Sequence, residues 1–420
     1  MRMPLSWTAR AAIGRAVLAA ATAALAAGCT QSFDGPYPCT VGFASCSTPD
    51  QCETDVTSDP QNCSMCGTAC DQGARCENGS CTTSPPTLST GVVLGPIAIN
   101  SDDVFFWSSA NPMIEDVPKA GGTPVTAVAP SQQGELTDMP FAVDDSRIYY
   151  LAQNFTGTGG WVVAASPTNA ADASASPPSV VGTFPTTSTV GTLSSMVIFQ
   201  ATIFMSWNVN GTFQVGSVPT GGGAVSVLAS FGNSNGGVAV DANGIYAVVT
   251  QPNGPCEIDR APIAGGTGAT IAPDANGCPN AIATDGSDVY WATSGSVTIG
   301  NNNANACVLQ VSRVPETGGA VTTLATLVTS EQPLQIAADP SYVYVATDES
   351  LWQFPTSDGG APLRLAGNLG ATSATNGASG CGNSGGTGAT IALAIDDTSA
   401  YVVVPTNPGS SGGVLLKIAK

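Results

Sequence analysis

An apolar strand ending in proline, followed by a short and usually glycine-rich turn, recurs six times along this 420-residue chain. The cleanest copies are Val117-Pro118 with Gly121-Gly122, Val218-Pro219 with Gly221-Gly222, and Val314-Pro315 with Gly318-Gly319. Ala261-Pro262 with Gly265-Gly266 and Phe354-Pro355 with Gly359-Gly360 belong to the set, and Ser166-Pro167 is a copy without glycines. Successive prolines lie 49, 52, 43, 53 and 40 residues apart. A repeat of that length is one small sheet that cannot bury its own faces, so copies must pack against one another. Proline presets φ and glycine supplies positive φ, which reads as a hairpin between two strands.

Around that hairpin each repeat has the same grammar. A first strand ends near an acidic or amide residue, at 97–100, 142–144, 238–241, 282–284, 336–339 and 393–396. A second is centred on an aromatic: Phe105, Tyr149, Phe204, Tyr246, Tyr290, Tyr344 or Tyr401. A third runs into the proline, and a fourth follows the glycines, as at 224–228 and 320–324. Seven aromatics predict seven copies, the third (196–207) being the most degenerate. Trp107 and Trp291 read as packing between sheets. The acidic pairs Asp102-Asp103, Asp144-Asp145 and Asp396-Asp397 suit Asx capping of the first hairpin. Calcium ligation is their alternative, weakened because they recur once per repeat instead of converging.

The expected fold is therefore all-β: a seven-bladed β-propeller over 87–420, with six or eight blades left open by the irregular copies. Residues 414–419 match a third strand, with Lys420 where proline would stand, so the last sheet lacks an outer strand. Residues 87–94 carry an outer-strand pattern and are expected to pair there, closing the ring and removing an unpaired edge.

The N-terminus reads as a processing signal. Arg2, Arg10 and Arg15 precede an apolar stretch, 16–27, that is shorter than the ~20 residues of a membrane span. Leu25-Ala26-Ala27-Gly28-Cys29 resembles the lipobox of bacterial lipoproteins. That resemblance implies removal of 1–28 and acylation of Cys29, whose chains would anchor the protein at ~0.8 kcal/mol per buried methylene. Thr30 in place of Asp points the expectation to the outer membrane or cell surface. Without its three leader arginines the chain keeps eight basic against thirty acidic residues, a net charge of −22. Such a surface repels phosphate backbones, so no nucleic-acid partner is expected. The chain has no histidine, which excludes Ser-His-Asp and Cys-His catalysis and histidine-ligated zinc.

Cysteines fall in two even groups after Cys29, as disulfide pairing in an oxidising compartment requires. Eight lie within 39–81: Cys39, Cys46, Cys52, Cys63, Cys66, Cys70, Cys76 and Cys81. The run Asn62-Cys63-Ser64-Met65-Cys66-Gly67, continuing through Cys70, Gly73, Cys76, Gly79 and Cys81, resembles a small Cys-rich module of bacterial envelope lipoproteins, with Ser64 where glycine is common. A structural disulfide knot is expected, with zinc or a redox Cys-x-x-Cys as weaker alternatives. The organisation is then a signal peptide (1–28), a tether (29–38), the Cys-rich module (39–81), a Pro85-Pro86 linker (82–86) and the propeller. The late cysteines are expected to pair as Cys256–Cys278 and Cys307–Cys381, the second reaching over the sixth blade.

Functional expectations rest on one face of the ring. The long loops 108–115, 155–160, 295–306 and 367–388 share it, and they offer Phe155, Trp161, Asn301, Asn302 and Asn303 as ligand contacts. Aromatic faces with amides suit carbohydrate or peptide. No cofactor, no metal site and no catalytic residue is expected. The chain reads as a lipid-anchored envelope protein, attached to the membrane by its anchor and binding a protein or glycan without catalysis. Its repeats resemble extracytoplasmic propellers with weak repeats, and distantly the propeller lipoproteins that assist outer-membrane barrel assembly. Two rivals remain. One is a carboxylate-dependent hydrolase or lyase, which needs a convergent Asp/Glu pair with one raised pKa. The other is a scaffold of envelope assembly machinery.

Overall fold

In a computed structural model, the described residues from 87 onward form seven four-stranded antiparallel blades, the last and the first sharing one long strand. The structure describes residues 43–44, 54–57, 62–63, 65–66, 74–77, 80–83, 85–108, 113–128, 139–153, 160–168, 178–184, 193–232, 237–251, 255–273, 275, 277–299, 304–329, 331–357, 360–367, 369, 392–406 and 412–420. Blades 2 to 7 open on inner strands Phe141–Val143, Leu193–Phe199, Val238–Val240, Ile282–Thr284, Pro333–Ala338 and Ala392–Ile395. Each inner strand pairs with a second strand carrying the buried aromatic, then a third strand and, in blades 2 to 6, an outer one. Apolar side chains from both faces of these sheets meet in seven buried clusters, one per seam between neighbouring blades.

The seam between blades 7 and 1 is built by a single 13-residue strand, Thr87–Ile99. Its first half pairs with Gly412–Ala419, at Leu416↔Thr87, Leu415↔Ser89 and Gly413↔Val92. Its second half is the inner strand of blade 1, at Ile97↔Phe106 and Ile99↔Val104. Leu88 and Val92 are buried among Phe106, Val117, Val403 and Leu415. The ring is zipped shut as the sequence predicted.

The proline phrase is a turn in which the fourth residue bonds back to the first. The N–H of Gly121, Gly222, Gly265 and Gly318 donates to the carbonyl of Pro118, Pro219, Pro262 and Pro315 at 2.8–2.9 Å. Gly265 shows why glycine is needed there. Its φ is 93°, and a Cβ would stand 3.1 Å from the Leu228 carbonyl oxygen on the outer strand of blade 3. The hairpin of one blade thus rests on the outer strand of the blade before it. In blade 3 this contact becomes a short parallel pairing of Gly223–Ala224 with Ser179–Thr183 of blade 2. That pairing draws 223–224 away, so the outer strand is Ser226–Phe231 and not the expected 224–228. In blade 5 the outer strand is Thr322–Val328, two residues later than expected at its start.

Strand register also corrects the last copy. Pro118, Pro167, Pro219, Pro315 and Pro355 each face the first residue of their second strand. In blade 7 that partner is Ala419, facing Ser399; in blade 4 Tyr246 faces Arg260, two residues before Pro262, as Tyr149 faces Ala165, two before Pro167. Lys420 therefore occupies the position after the proline, equivalent to Lys119 and Glu316, and not the proline's own.

The acidic hairpins cap themselves. Asp144 Oδ1 accepts the N–H groups of Ser146 and Arg147, both at 2.8 Å, and Oδ2 accepts the Tyr149 hydroxyl at 2.8 Å. The same Asp–Tyr bond recurs at Asp285/Tyr290, Asp339/Tyr344 and Asp396/Tyr401, at 2.8–3.0 Å. Burial and the adjacent carboxylate push the Tyr149 phenol up to about 12. Blade 3 lacks this device. Gln200 sits there at φ 50°, and its carbonyl accepts the Thr202 N–H instead, which is why the third copy looks degenerate in sequence.

Blade 1 holds one misfit. Asp116 is 7% exposed with Oδ1 unpartnered, and burial, helped by neighbouring Asp103, pushes its pKa to about 6. A carboxyl raised above its unfolded value stabilises the fold below pH 3.8, and that contribution is lost as pH rises through about 6. Asp116→Asn is expected to stabilise the protein by about 1–2 kcal/mol at neutral pH, allowing for solvent screening. Denaturant midpoints followed across this pH range should flatten in the variant; an unchanged slope assigns the pH dependence elsewhere.

Within the Cys-rich segment Phe43–Ala44 pairs with Thr54–Asp55, and Ala74–Glu77 pairs with Ser80–Thr83, placing Cys76 opposite Cys81. Cys63 and Cys66 are disulfide-bonded, so their sulfurs are not free thiolates for zinc. Cys29, Cys39, Cys46, Cys52 and Cys70 lie outside the described residues.

Candidate functional site

The two ends of the ring differ in chemistry. At the end carrying the capped hairpins, a cavity of about 460 Å³ is lined by Asp241, Asp285, Asp339, Asp396, Asp397 and Lys420. Most of these carboxylates are already committed to turn N–H groups. Two seams here are also closed by ammonium groups from the position after the proline. Lys119 Nζ lies 2.9 Å from Asp396, and Lys420 Nζ lies 2.6 Å from Asp339. Burial opposes ionisation of Asp396, but Lys119, the Thr398 and Ser399 N–H groups and the Tyr401 hydroxyl outweigh it and hold that carboxyl far below the usual range.

Between blades 4 and 5 the equivalent position is Glu316, and two carboxyls meet. Thr284 Oγ1 lies 2.8 Å from both Asp241 Oδ2 and Glu316 Oε1, yet has one proton to donate. Burial and then Asp241 raise the Glu316 pKa; hydrogen bonds from Glu316, Thr284 and the turn N–H groups overcome burial and hold Asp241 down. Of the two carboxyls Glu316 is the harder to ionise, and Asp241 the easier. It is the Asp/Glu pair that an enzyme reading requires, but its members are bridged by one hydroxyl, that of Thr284, and only 6% and 4% exposed. A glycosidase pair stands roughly 5 Å or more apart to admit substrate. The geometry is that of a seam lock.

The opposite end is shaped by blade 5. Its second and third strands, Asp288–Ile299 and Ala304–Pro315, stay paired through Ile299↔Ala304. The expected loop 295–306 is therefore mostly a hairpin projecting beyond the blade, and Cys307 lies three residues inside the third strand. The cause is continuous backbone pairing, which the Gly/Ser/Asn composition concealed. At the hairpin's foot a cleft of about 250 Å³ is lined by Gly277, Cys278, Asn280, Thr293, Ser294 and Gln332. All of these groups are uncharged.

Each wall of the cleft is fixed. The Cys256–Cys278 disulfide staples the connection between blades 4 and 5, as expected, with Cys256 fully buried at the start of Cys256–Ala261. Cys307 is also disulfide-bonded; Cys381, its expected partner, lies outside the described residues. On the blade 6 side Gln332 exchanges backbone hydrogen bonds with Asp348, at 2.8 Å to Oδ1 and 3.1 Å from the Asp348 N–H. Behind it, buried Glu331 accepts from Thr347 (2.7 Å), Trp352 (2.8 Å), Ser350 (3.0 Å) and Arg364 (3.5 Å). Those donors compensate the buried charge and rigidify the turn beside the cleft.

Of the residues proposed from sequence, Trp161 opens the third strand of blade 2, half-buried against the clusters on either side of that blade. Phe155, Asn301, Asn302 and Asn303 lie outside the described residues. Asn280, Thr293, Ser294 and Gln332 were not legible: neutral residues at strand ends carry no signal of their own. Gly-x-Ser-x-Gly occurs at 232–236, 382–386 and 409–413. With no histidine in the chain, none of these serines has the imidazole base that would activate it, and most of the three motifs lies outside the described residues.

No protein-family model and no curated protein matches the chain. Solved structures do resemble it. YCF48 bound to D1 peptide aligns with a TM-score of 0.51 and 10% identity, over 80% of this chain and 94% of that one. Oligogalacturonate lyase from Vibrio parahaemolyticus gives 0.49 and 9%, covering 79% and 91%. BamB from Moraxella catarrhalis gives 0.39 and 10%, covering 78% and 85%. At 10% identity the likeness to the first of these speaks to the fold, a β-propeller, and to nothing finer.

Proposed function

We propose that this chain is a lipid-anchored envelope protein, acylated at Cys29, whose propeller binds a protein or glycan without catalysis through its loop end. The cleft between blades 4, 5 and 6 carries this reading. It combines uncharged hydrogen-bonding groups with walls fixed by a disulfide and by the Glu331 network. Pre-ordered walls lower the entropy cost of association. The acidic end, by contrast, has its carboxylates tied up in caps and seam contacts.

Two measurements test the two halves of this proposal. Metabolic labelling with an alkynyl fatty acid should mark the protein and not Cys29→Ser. A photo-activatable residue at Asn280 should give discrete crosslinks in intact envelopes, whereas one at Asp397, on the acidic end, should not. Crosslinks from Asp397 alone would move the binding surface to the other face.

A further inference from the structure

The second strand of blade 5 leaves an edge open. The inner strand Ile282–Thr284 pairs only with Val289–Trp291, while the third strand follows the second to its end. From Ala292 to Ile299 no strand among the described residues pairs with the inner side. Ala292 and Thr293 are buried at 5% and 4%, so the open length starts at Ser294; six residues at ~3.3 Å each make about 20 Å of edge. Proteins guard such edges with lysine, proline, charge or a bulge. The sequence here, Ala-Thr-Ser-Gly-Ser-Val-Thr-Ile, has no charge and no proline. The edge starts in the cleft, at Ser294.

A row of alternating main-chain donors and acceptors is the complement of another extended polypeptide. The charge around its foot narrows the choice. Asp348 stands against Gln332, Glu349 follows it, and the nearby Arg364 is engaged by Glu331. The chain as a whole carries −19. We propose that the inner edge of this hairpin takes an extended peptide as an added strand, with a basic side chain of the peptide directed toward Asp348 and Glu349. This rests on the loop-end reading above and narrows its partner to polypeptide. Strand addition supplies main-chain hydrogen bonds, and the cleft at the foot selects one small or polar side chain. The bracing of both walls then serves to hold the edge at a fixed height above the ring.

The test uses the full-length protein and phage-displayed random peptides of about twelve residues. Peptides rich in Lys or Arg should be enriched. N-methylation along one of them should weaken binding about tenfold or more at every second position, because alternate N–H groups face the edge. Replacing 297–306 by Asn-Gly keeps the Ser296↔Cys307 pair and a tight turn while removing the projection. That variant should melt like the parent and lose at least about tenfold in peptide affinity, for the same hydrogen bonds. Methylation sensitivity without a period of two, or peptides indifferent to the shortening, would overturn strand addition. So would a concentration-dependent dimer abolished by the shortening, since the edge would then pair with a second copy. Retention of glycans and no peptides, with Asn280 crosslinks intact, would overturn it and leave the loop-end reading standing. Crosslinks from Asp397 alone would remove both.

Discussion

Deleting residues 1–94 is expected to abolish cooperative folding of the ring, and not merely to trim its stability. The deletion removes the outer strand of blade 7 and with it Leu88 and Val92, which are 8% and 0% exposed. Burying two such side chains contributes about 2 kcal/mol each. Five register pairs are lost as well, and Gly412–Ala419 becomes an open edge bearing Leu415 and Leu416. A loss of about 5 kcal/mol or more matches the whole stability of many domains. Aggregation through the exposed edge should follow. Thermal unfolding and size-exclusion chromatography read both effects. A synthetic peptide of residues 85–96 should restore part of the transition by pairing where the native strand does. The double variant Leu88→Asp, Val92→Asp in the full chain should behave like the truncation. A truncated protein that melts within a few degrees of the parent would show that the ring does not depend on this seam.

How far the sequence led depends on whether the physics is local. The turn after each proline was legible because its bonds join residues three apart, and only glycine fits the positive φ at Gly121, Gly222, Gly265 and Gly318. The closing strand was legible because an unpaired last blade needs a partner and 87–94 had the right apolar pattern. Register was less legible: Lys420 was placed one residue off, since the residue facing the start of the last second strand is Ala419 and no proline marks that position. The hairpin of blade 5 was hidden by its composition, because backbone pairing requires no hydrophobic run. The lock formed by Asp241, Thr284 and Glu316 was invisible. Its members come from different hairpins, and nothing in any one of them announces the others.

The Cys256–Cys278 bridge should matter more to stability than any other single contact at the cleft. It closes a separation of 22 residues, and removing a cross-link of that span costs about 3 kcal/mol in the chain-entropy account. Replacing both cysteines by alanine avoids burying a hydroxyl at position 256, which is fully enclosed beside Ile258 and Ala275. The melting temperature should fall by about 5–10 °C, and in a reductant, where both proteins lose their remaining bridges, parent and variant should melt together. The backbone bond from the Ala275 N–H to the Cys256 carbonyl, 2.9 Å, remains, so the connection between the blades is loosened and not released. Its freed portion carries Gly277, Cys278 and Asn280, one wall of the cleft. Ligand affinity should therefore drop in the variant even well below its melting temperature, because the wall must be ordered on binding. Unaltered melting would mean that the neighbouring blades alone hold this connection in place, and that the bridge is dispensable to the fold.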